Sequence, residues 1–338
     1  MSMKLERIET LGHFERRGED WNEFLFSSDL NTVFLTHEWL SAWWQCLSGD
    51  SEMHVLIFRD QYDRILGMAP LRIMEERMFF MASHEVTDYC DFITHPEHRE
   101  DFFRRLLHHF REHSSDFTRF EFINIEQNSP TLLFLPRLAA QYGLNCSQVE
   151  SEVVPVLDLP SSYDAFVSGL TRKNRHELRR KLRKMAALKD FRAEKITKPD
   201  ELMAVVDSFI DLHRESNSAK TNFWRKEGMA DFFRETVYQF GRRGWVELNC
   251  LFAKESLIAA LLNFTYQQEI LFYNVAFHAD FASYSPGFYL FNASINEAIS
   301  ARKTRADFLR GREKYKYDFG AKECKIYSLI LTPGESHS

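Results

Sequence analysis

The sequence predicts an α/β (α+β) protein built as two related units. Three observations carry this expectation. The chain has 338 residues, the length of two ordinary domains. Helical and strand-like periodicities alternate along it. One plan also occurs twice: an apolar strand, a polar turn, then a strand with a small residue after two aliphatics. The copies are VLIFRDQYDRILGMAPLRI, with Ile65-Leu66-Gly67, and LNCLFAKESLIAALLNFTY, with Leu257-Ile258-Ala259. Any hairpin shares this outline, so the duplication is suggestive by itself and no more.

The elements follow in order. Thr36 can cap a helix over THEWLSAWWQCL, with Trp39, Trp43 and Trp44 at helical spacing. Residues 54–74 read as strand, charged turn and strand, with Gly67 where the second strand needs a small residue. PEHREDFFRRLLHHFREH is an amphipathic helix opened by Pro96. FTRFEFINI at 117–125 alternates like a half-buried strand. LLFLPRLAAQYG is a helix interrupted by Pro136 and ended by Gly143. A weak boundary near residue 150 divides the chain into 1–150 and 151–338. VVPVLDLP is then a short strand, and the basic segment from 172 is a helix with a narrow stripe of Leu178, Leu182, Met185 and Leu188. Thr197-Lys-Pro-Asp200 resembles a capping box. Another helix ends at Gly241, three strands fill 245–277, and a helix over 286–301 precedes strands at 305–309 and 324–331.

Charge is unevenly distributed. Residues 172–195 hold eleven Lys or Arg and three acids, a net of +8 in a chain of net −6, which leaves −14 for the rest. A general nucleic-acid coat is excluded and DNA is not expected as a partner; one local anion site remains open. The N-terminus has no apolar run and no segment is long and apolar enough to span a bilayer. The five cysteines are isolated from one another. A cytoplasmic protein with reduced thiols is expected.

Four strings point to a family. They are the hairpin pattern, the block Phe34, Thr36, Trp39, Leu40, Trp43 and Trp44, the string YSPGFYL at 284–290, and DFLRGREKYKYDFG at 307–320. Together they resemble the CelD/BcsL-like (BioF2-like) acetyltransferases, a branch with two GNAT units in tandem as in FemAB peptidyltransferases. The resemblance implies tandem GNAT-like lobes, each a mixed twisted sheet flanked by helices. It implies acyl transfer to an amine or hydroxyl, with acyl-CoA (acetyl-CoA) as co-substrate or an aminoacyl-tRNA in the FemAB manner. A sugar, a nucleotide-linked glycan or another polysaccharide precursor is the implied acceptor. A non-catalytic role in polysaccharide synthesis is the alternative from another class.

Candidate site residues follow. The family's glycine-rich phosphate loop is replaced by Tyr284-Ser285-Pro286-Gly287. Ser285, Gly287 and Phe288 would form the cofactor site; Pro286 removes one N–H donor, so a plain Ser-Pro helix opening is the competing reading. His213 is a candidate base or a helix-end cap. Asp307 could orient a base and Arg310 could grip a phosphate, or the two could stabilise a turn. Tyr315 is a candidate general acid, and Lys316 would steady developing negative charge. Arg172, Lys173, Arg175, Arg179 and Arg180, with Trp224, would contact substrate or its phosphates; a solvated helix face is the alternative. His95-Pro-Glu-His98 and His109-x-x-x-His113 have metal-like spacing. Pro96 interrupts the first and the second lacks a third ligand in sequence, so no metal is expected.

Overall fold

The computed structural model describes residues 4–82, 85–113, 117–216 and 222–334. The chain forms two compact units, residues 1–152 with 325–338, and residues 153–324. It crosses between them inside continuous strands rather than linkers.

Unit 1 opens with β1 (Lys4–Ile8), α1 (Leu11–Glu15), α2 (Gly18–Ser27) and α3 (His37–Leu47). Thr36 caps α3, its hydroxyl accepting from the Trp39 amide. Trp39 and Trp43 are buried, while Trp44 is half-buried. Next come β2 (Glu52–Met53), β3 (Val55–Arg59), β4 (Ile65–Ala69), β5 (Leu71–Met74), β6 (Arg77–Phe80) and β7 (Ile93–Thr94). α4 (Arg99–Glu112), β8 (Arg119–Glu126), α5 (Thr131–Ala139) and β9 (Leu144–Asp158) follow. Strands β1, β3, β4 and β7 form one antiparallel sheet. The expected small residue is needed: a Cβ on Gly67 would lie 2.2 Å from the Phe102 ring. Phe58, Phe80, Phe92, Phe102, Phe103, Phe110, Phe120 and Phe122 fill the core, which accounts for much of the chain's phenylalanine.

Unit 2 continues from β9 with α6 (Tyr163–Gly169), α7 (Arg172–Ala186), β10 (Phe191–Ile196) and α8 (Pro199–Glu215). Then come α9 (Met229–Arg243), β11 (Val246–Ala253), β12 (Ser256–Tyr266), β13 (Glu269–Phe277), α10 (Pro286–Ser300), β14 (Arg305–Asp307) and α11 (Lys314–Asp318). β15 (Lys322–Pro333) returns the chain to unit 1. The sheet of unit 2 runs β10-β11-β12-β13-β14-β9. All pairings are antiparallel except β13–β14, so the sheet is mixed. The capping box at Thr197 is not realised. Lys198 is the N-cap, because Pro199 occupies the first helical position.

Two features of this sheet position everything else. First, Leu262 pairs with Asn274 and Asn263 with Phe272, so Tyr273 is an extra residue in a β-bulge. Phe272 packs on Phe291 of α10 at 5.1 Å, while Tyr273 packs on Phe233 of α9 at 5.8 Å. Helices α8 and α9 therefore cover one face, and α6, α7 and α10 the other. Second, β13 pairs with β14 only over Glu269–Leu271, then continues to Phe277 paired with β12 alone. Two neighbouring parallel strands thus part company beside the start of α10.

Among the described residues no helix is long and apolar enough to cross a membrane. All five cysteines are free thiols.

Candidate functional site

The basic helix α7 is anchored on one edge and open on the others. Thr171 caps it, accepting from the Asn174 amide at 3.2 Å. Leu178 and Met185 are buried; Leu182 is half-buried. Asn174 donates to the Tyr317 carbonyl at 3.0 Å. Lys181 lies 3.9 Å above the Phe288 ring and 3.6 Å from the Asp318 carboxylate. These contacts tie α7 to the start of α10 and the end of α11.

The remaining cations divide into used and unused. Arg175 donates to the Ser168 and Leu170 carbonyls, both at 2.6 Å. Arg180 grips Glu177 through two nitrogens at 2.7 and 2.6 Å, and this hydrogen bonding holds the Glu177 carboxyl at about 2. Both arginines, expected as phosphate ligands, are committed to the protein. Arg172, Lys173 and Arg179 on α7 and Lys314 on α11 have no acidic partner among the described residues. They line a groove of about 920 Å³ together with His176 and Asp318. Asp318 and Glu177 are already occupied by Lys181 and Arg180, so the groove retains net positive charge.

The start of α10 lies beside Lys181. Ser285 is its N-cap in the left-handed region (φ 59°, ψ 50°) and makes no side-chain capping bond. Pro286 has no N–H, and the Tyr289 amide turns back to the Ser285 carbonyl at 3.2 Å. The Gly287 and Phe288 amides, inside the first turn, have no helical acceptor. Gly287 sits against β13: a Cβ there would lie 3.3 Å from Val275. The Phe288 side chain is not a ligand surface. It stacks on Phe319 at 4.2 Å and is 7% exposed, so only its amide remains for an anion.

The string at 307–320 folds as a clamp. Asp307 is fully buried; it accepts from the Leu309 amide at 2.8 Å and meets Arg305 at 3.3 Å. That bond sets the turn in which Leu309 takes φ 57°. Lys316, only 3% exposed, donates to the carbonyls of Leu309 (3.0 Å), Arg310 (2.7 Å) and Gly311 (3.3 Å), and pairs with Glu313 at 2.9 Å. An ammonium has three hydrogens, and this loop uses them all. Lys316 and Asp307, expected as charge stabiliser and base orienter, are here bonded within the loop they build. Arg310 is half-buried, and its carbonyl belongs to the clamp.

Tyr315 differs. Its half-buried ring stacks on Phe291 at 5.0 Å, and among the described residues nothing hydrogen-bonds its hydroxyl. Burial, then the nearby Glu313, push the phenol well above its usual range. It therefore stays protonated at neutral pH, as a proton donor must.

His213 and Trp224 are brought together, but elsewhere. The Trp224 indole donates to His213 Nδ1 at 2.8 Å, and Trp224 packs on Phe233 of α9 at 4.7 Å. Both lie with α8 and α9, across the sheet from Tyr315. An indole nitrogen is donor only, so Nδ1 accepts and the neutral ring's proton sits on Nε2. No lone pair is left there for a base, and His213 is 3% exposed. His213, expected as base, and Trp224, expected as substrate ligand, are here bonded to each other.

Sequence reasoning did not assign His176, Asn174 or Lys181 to the site. Lys314 belongs to the basic group Arg310, Arg312, Lys314 and Lys316, which the sequence already sets apart as a possible complement to the basic island. Asn174 and Lys181 act through a carbonyl and a ring, which spacing does not disclose.

Residues 172–317 match the family model of the acetyltransferase (GNAT) domain. None of the curated proteins matches the chain in sequence. Among solved structures, FemX superposes with a TM-score of 0.65 at 11% identity, covering 97% of each chain. A tandem GNAT protein from the clavulanic acid biosynthesis pathway gives 0.55 at 13% identity, over 98% of this chain and 100% of that one. L-PGS from Bacillus licheniformis gives 0.58 at 11% identity, over 95% and 92%. At such identities the likeness is one of fold. The chain thus has a GNAT-like mixed α/β fold, and residues 172–317 of it are similar to the acetyltransferase (GNAT) domain.

Proposed function

We propose that the protein is an acyltransferase, with acyl-CoA (acetyl-CoA) as donor and the chemistry in the C-terminal lobe. The single observation that carries this is the cationic groove beside the start of α10. Four unneutralised cations, Arg172, Lys173, Arg179 and Lys314, stand in a groove of about 920 Å³. Lys181 of α7 lies over the ring of Phe288, in the first turn of α10. This arrangement suits a donor with several phosphates. The acceptor is an amine or hydroxyl of a sugar, a polysaccharide precursor or another small molecule. The CelD/BcsL-like assignment, a cytoplasmic setting and a tandem pair of GNAT-like lobes belong to the same proposal.

The step needs few groups. The acceptor attacks the thioester carbonyl, the new C–N or C–O bond forms, and the C–S bond breaks. The departing thiolate takes the Tyr315 proton, and the phenoxide recovers the proton that the acceptor loses. No covalent enzyme intermediate is required.

Acetyl-CoA should raise the melting temperature of the protein, and Arg179→Glu with Lys314→Glu should abolish that shift while leaving the unliganded melting temperature unchanged. An equal shift in the double variant would sink the groove as the donor site. Tyr315→Phe should lower kcat by about 10²-fold or more with little change in KM.

A second reading is a FemAB-type transferase using aminoacyl-tRNA. Pro286 and the left-handed Ser285 favour it, since they leave only two free amides for a pyrophosphate. Binding of charged tRNA with no response to any CoA thioester would select this reading. No turnover with either donor, and full function of a Tyr315→Phe protein in the cell, would favour a non-catalytic component of polysaccharide synthesis.

A further inference from the structure

His95, Glu97 and His98 in unit 1 bring one ligand atom each to within 4.8 Å of one another. They lie on a 3-10 turn over Pro96–His98, between β7 and α4. Pro96, which interrupts the spacing in sequence, is what gathers them: it opens the turn at its first position. The turn is pinned from both sides. The His95 amide donates to the Leu66 carbonyl at 3.3 Å, and the His98 amide to the His95 carbonyl at 3.0 Å. His95 Nδ1 accepts from the Glu97 amide at 3.3 Å, a long bond that an ion must displace before the imidazole can ligate it. The two imidazoles stand 5.5 Å apart. Among the described residues, the Glu97 carboxylate and the His98 imidazole nitrogens take part in no hydrogen bond or ion pair.

We infer that this turn is a binding site for a divalent first-row transition ion, with Zn²⁺ the best match. Two imidazole nitrogens and one carboxylate oxygen suit Zn²⁺ and disfavour Mg²⁺ and Ca²⁺, which take oxygen ligands. Three protein ligands on an accessible turn leave at least one coordination position for water or a small anion. His98 also caps α4, where the helix dipole opposes a cation. Glu97 and Asp101, in the first turns, offset that opposition.

One other histidine group competes. His54 Nε2 and His109 Nε2 stand 3.0 Å apart, with His113 adjoining His109 at 4.3 Å. Two imidazoles on one tetrahedral Zn²⁺ would stand about 3.3 Å apart, given bonds of roughly 2.0–2.1 Å. However, Arg7 already approaches His113 Nε2 at 3.4 Å and brings a positive charge to that pocket. A shared proton satisfies the His54–His109 pair without an ion.

The test is a Zn²⁺ titration of the tag-free, full-length protein against a chromophoric chelator, with Co²⁺ absorption as a second readout. One ion per chain is expected. His98→Ala should weaken binding by at least about tenfold, since even indirect partners of metal ligands cost 10–100-fold. His95→Ala should do the same, Glu97→Gln should weaken binding several-fold, and His54→Ala should leave it unchanged. Far-UV circular dichroism of His98→Ala, which leaves the His95 cap in place, shows that the turn's host is folded. Absence of saturable binding overturns the inference. So does binding that survives the His95→Ala, His98→Ala pair, or that is lost in His54→Ala.

Discussion

The clamp at 307–316 and the groove along α7 are both basic strings in sequence, and they use their charges in opposite ways. Lys316 is buried and meets three carbonyls and a carboxylate. Arg172, Lys173, Arg179 and Lys314 are exposed and meet no acid among the described residues. A cation that the fold uses has no capacity left for a ligand. One that the fold leaves alone keeps that capacity, at a cost in self-repulsion where several lie together.

The contrast can be broken by measurement. The largest effect is expected for Lys316→Met, which strands the carbonyls of Leu309, Arg310 and Gly311 and should cost about 3 kcal/mol in urea unfolding. A loss under about 1 kcal/mol would mean that the clamp is ornamental and that Lys316 is free for chemistry after all. Acid provides a comparable effect in unit 1. Burial, the first cause for both, lowers His54 to about 4 and His109 to about 3. A histidine whose folded value lies below its unfolded 6.5 stabilises above pH 6.5, and that contribution is lost as pH falls toward 4 and 3. Stability should therefore decline by a few kcal/mol between pH 6.5 and pH 4. His54→Phe should flatten the decline, whereas an unchanged slope would put the acid sensitivity elsewhere.

A smaller effect is expected at the other buried histidine. His213→Ala leaves the Trp224 indole without its acceptor and should cost about 1–3 kcal/mol. Turnover per folded molecule should hold; a hundredfold fall would return His213 to the list of bases. The smallest belongs to the groove. Arg179→Ala should change stability by less than about 0.5 kcal/mol. It should also reduce the salt dependence of binding a polyphosphate ligand by about one unit of log–log slope.

Much of the scaffold was readable from sequence. Thr36 as a cap, Gly67 as a forced small residue, Gly143 as a helix stop and the three strands over 245–277 all rest on local rules. These are rules of spacing and conformation, and the structure obeys them. The site was readable in part. The basic island was visible, yet which of its members are spent was not, because Lys316, Arg175 and Asn174 bond to carbonyls, and carbonyls are present at every residue. The placement of His213 was lost for a different reason. Which face of a sheet a helix covers is set by tertiary packing, and the spacing along α8 says nothing of it. The capping box at Thr197 failed because Pro199 made its own start one residue later.

The two crossings inside β9 and β15 bear on how this protein can be cut. Residues 172–317 carry the acetyltransferase match, and a designer of fragments would be drawn to them. Such a fragment loses the Pro155 carbonyl that accepts from Phe308 and the Val153 carbonyl that accepts from Gly311. It also bares β14 along the edge where Val156–Asp158 pair with it. The loop held by Lys316 would then hang from one side only. The segment that similarity outlines is shorter than the segment that can fold, and an inactive, aggregating truncation would report on strand loss rather than on chemistry.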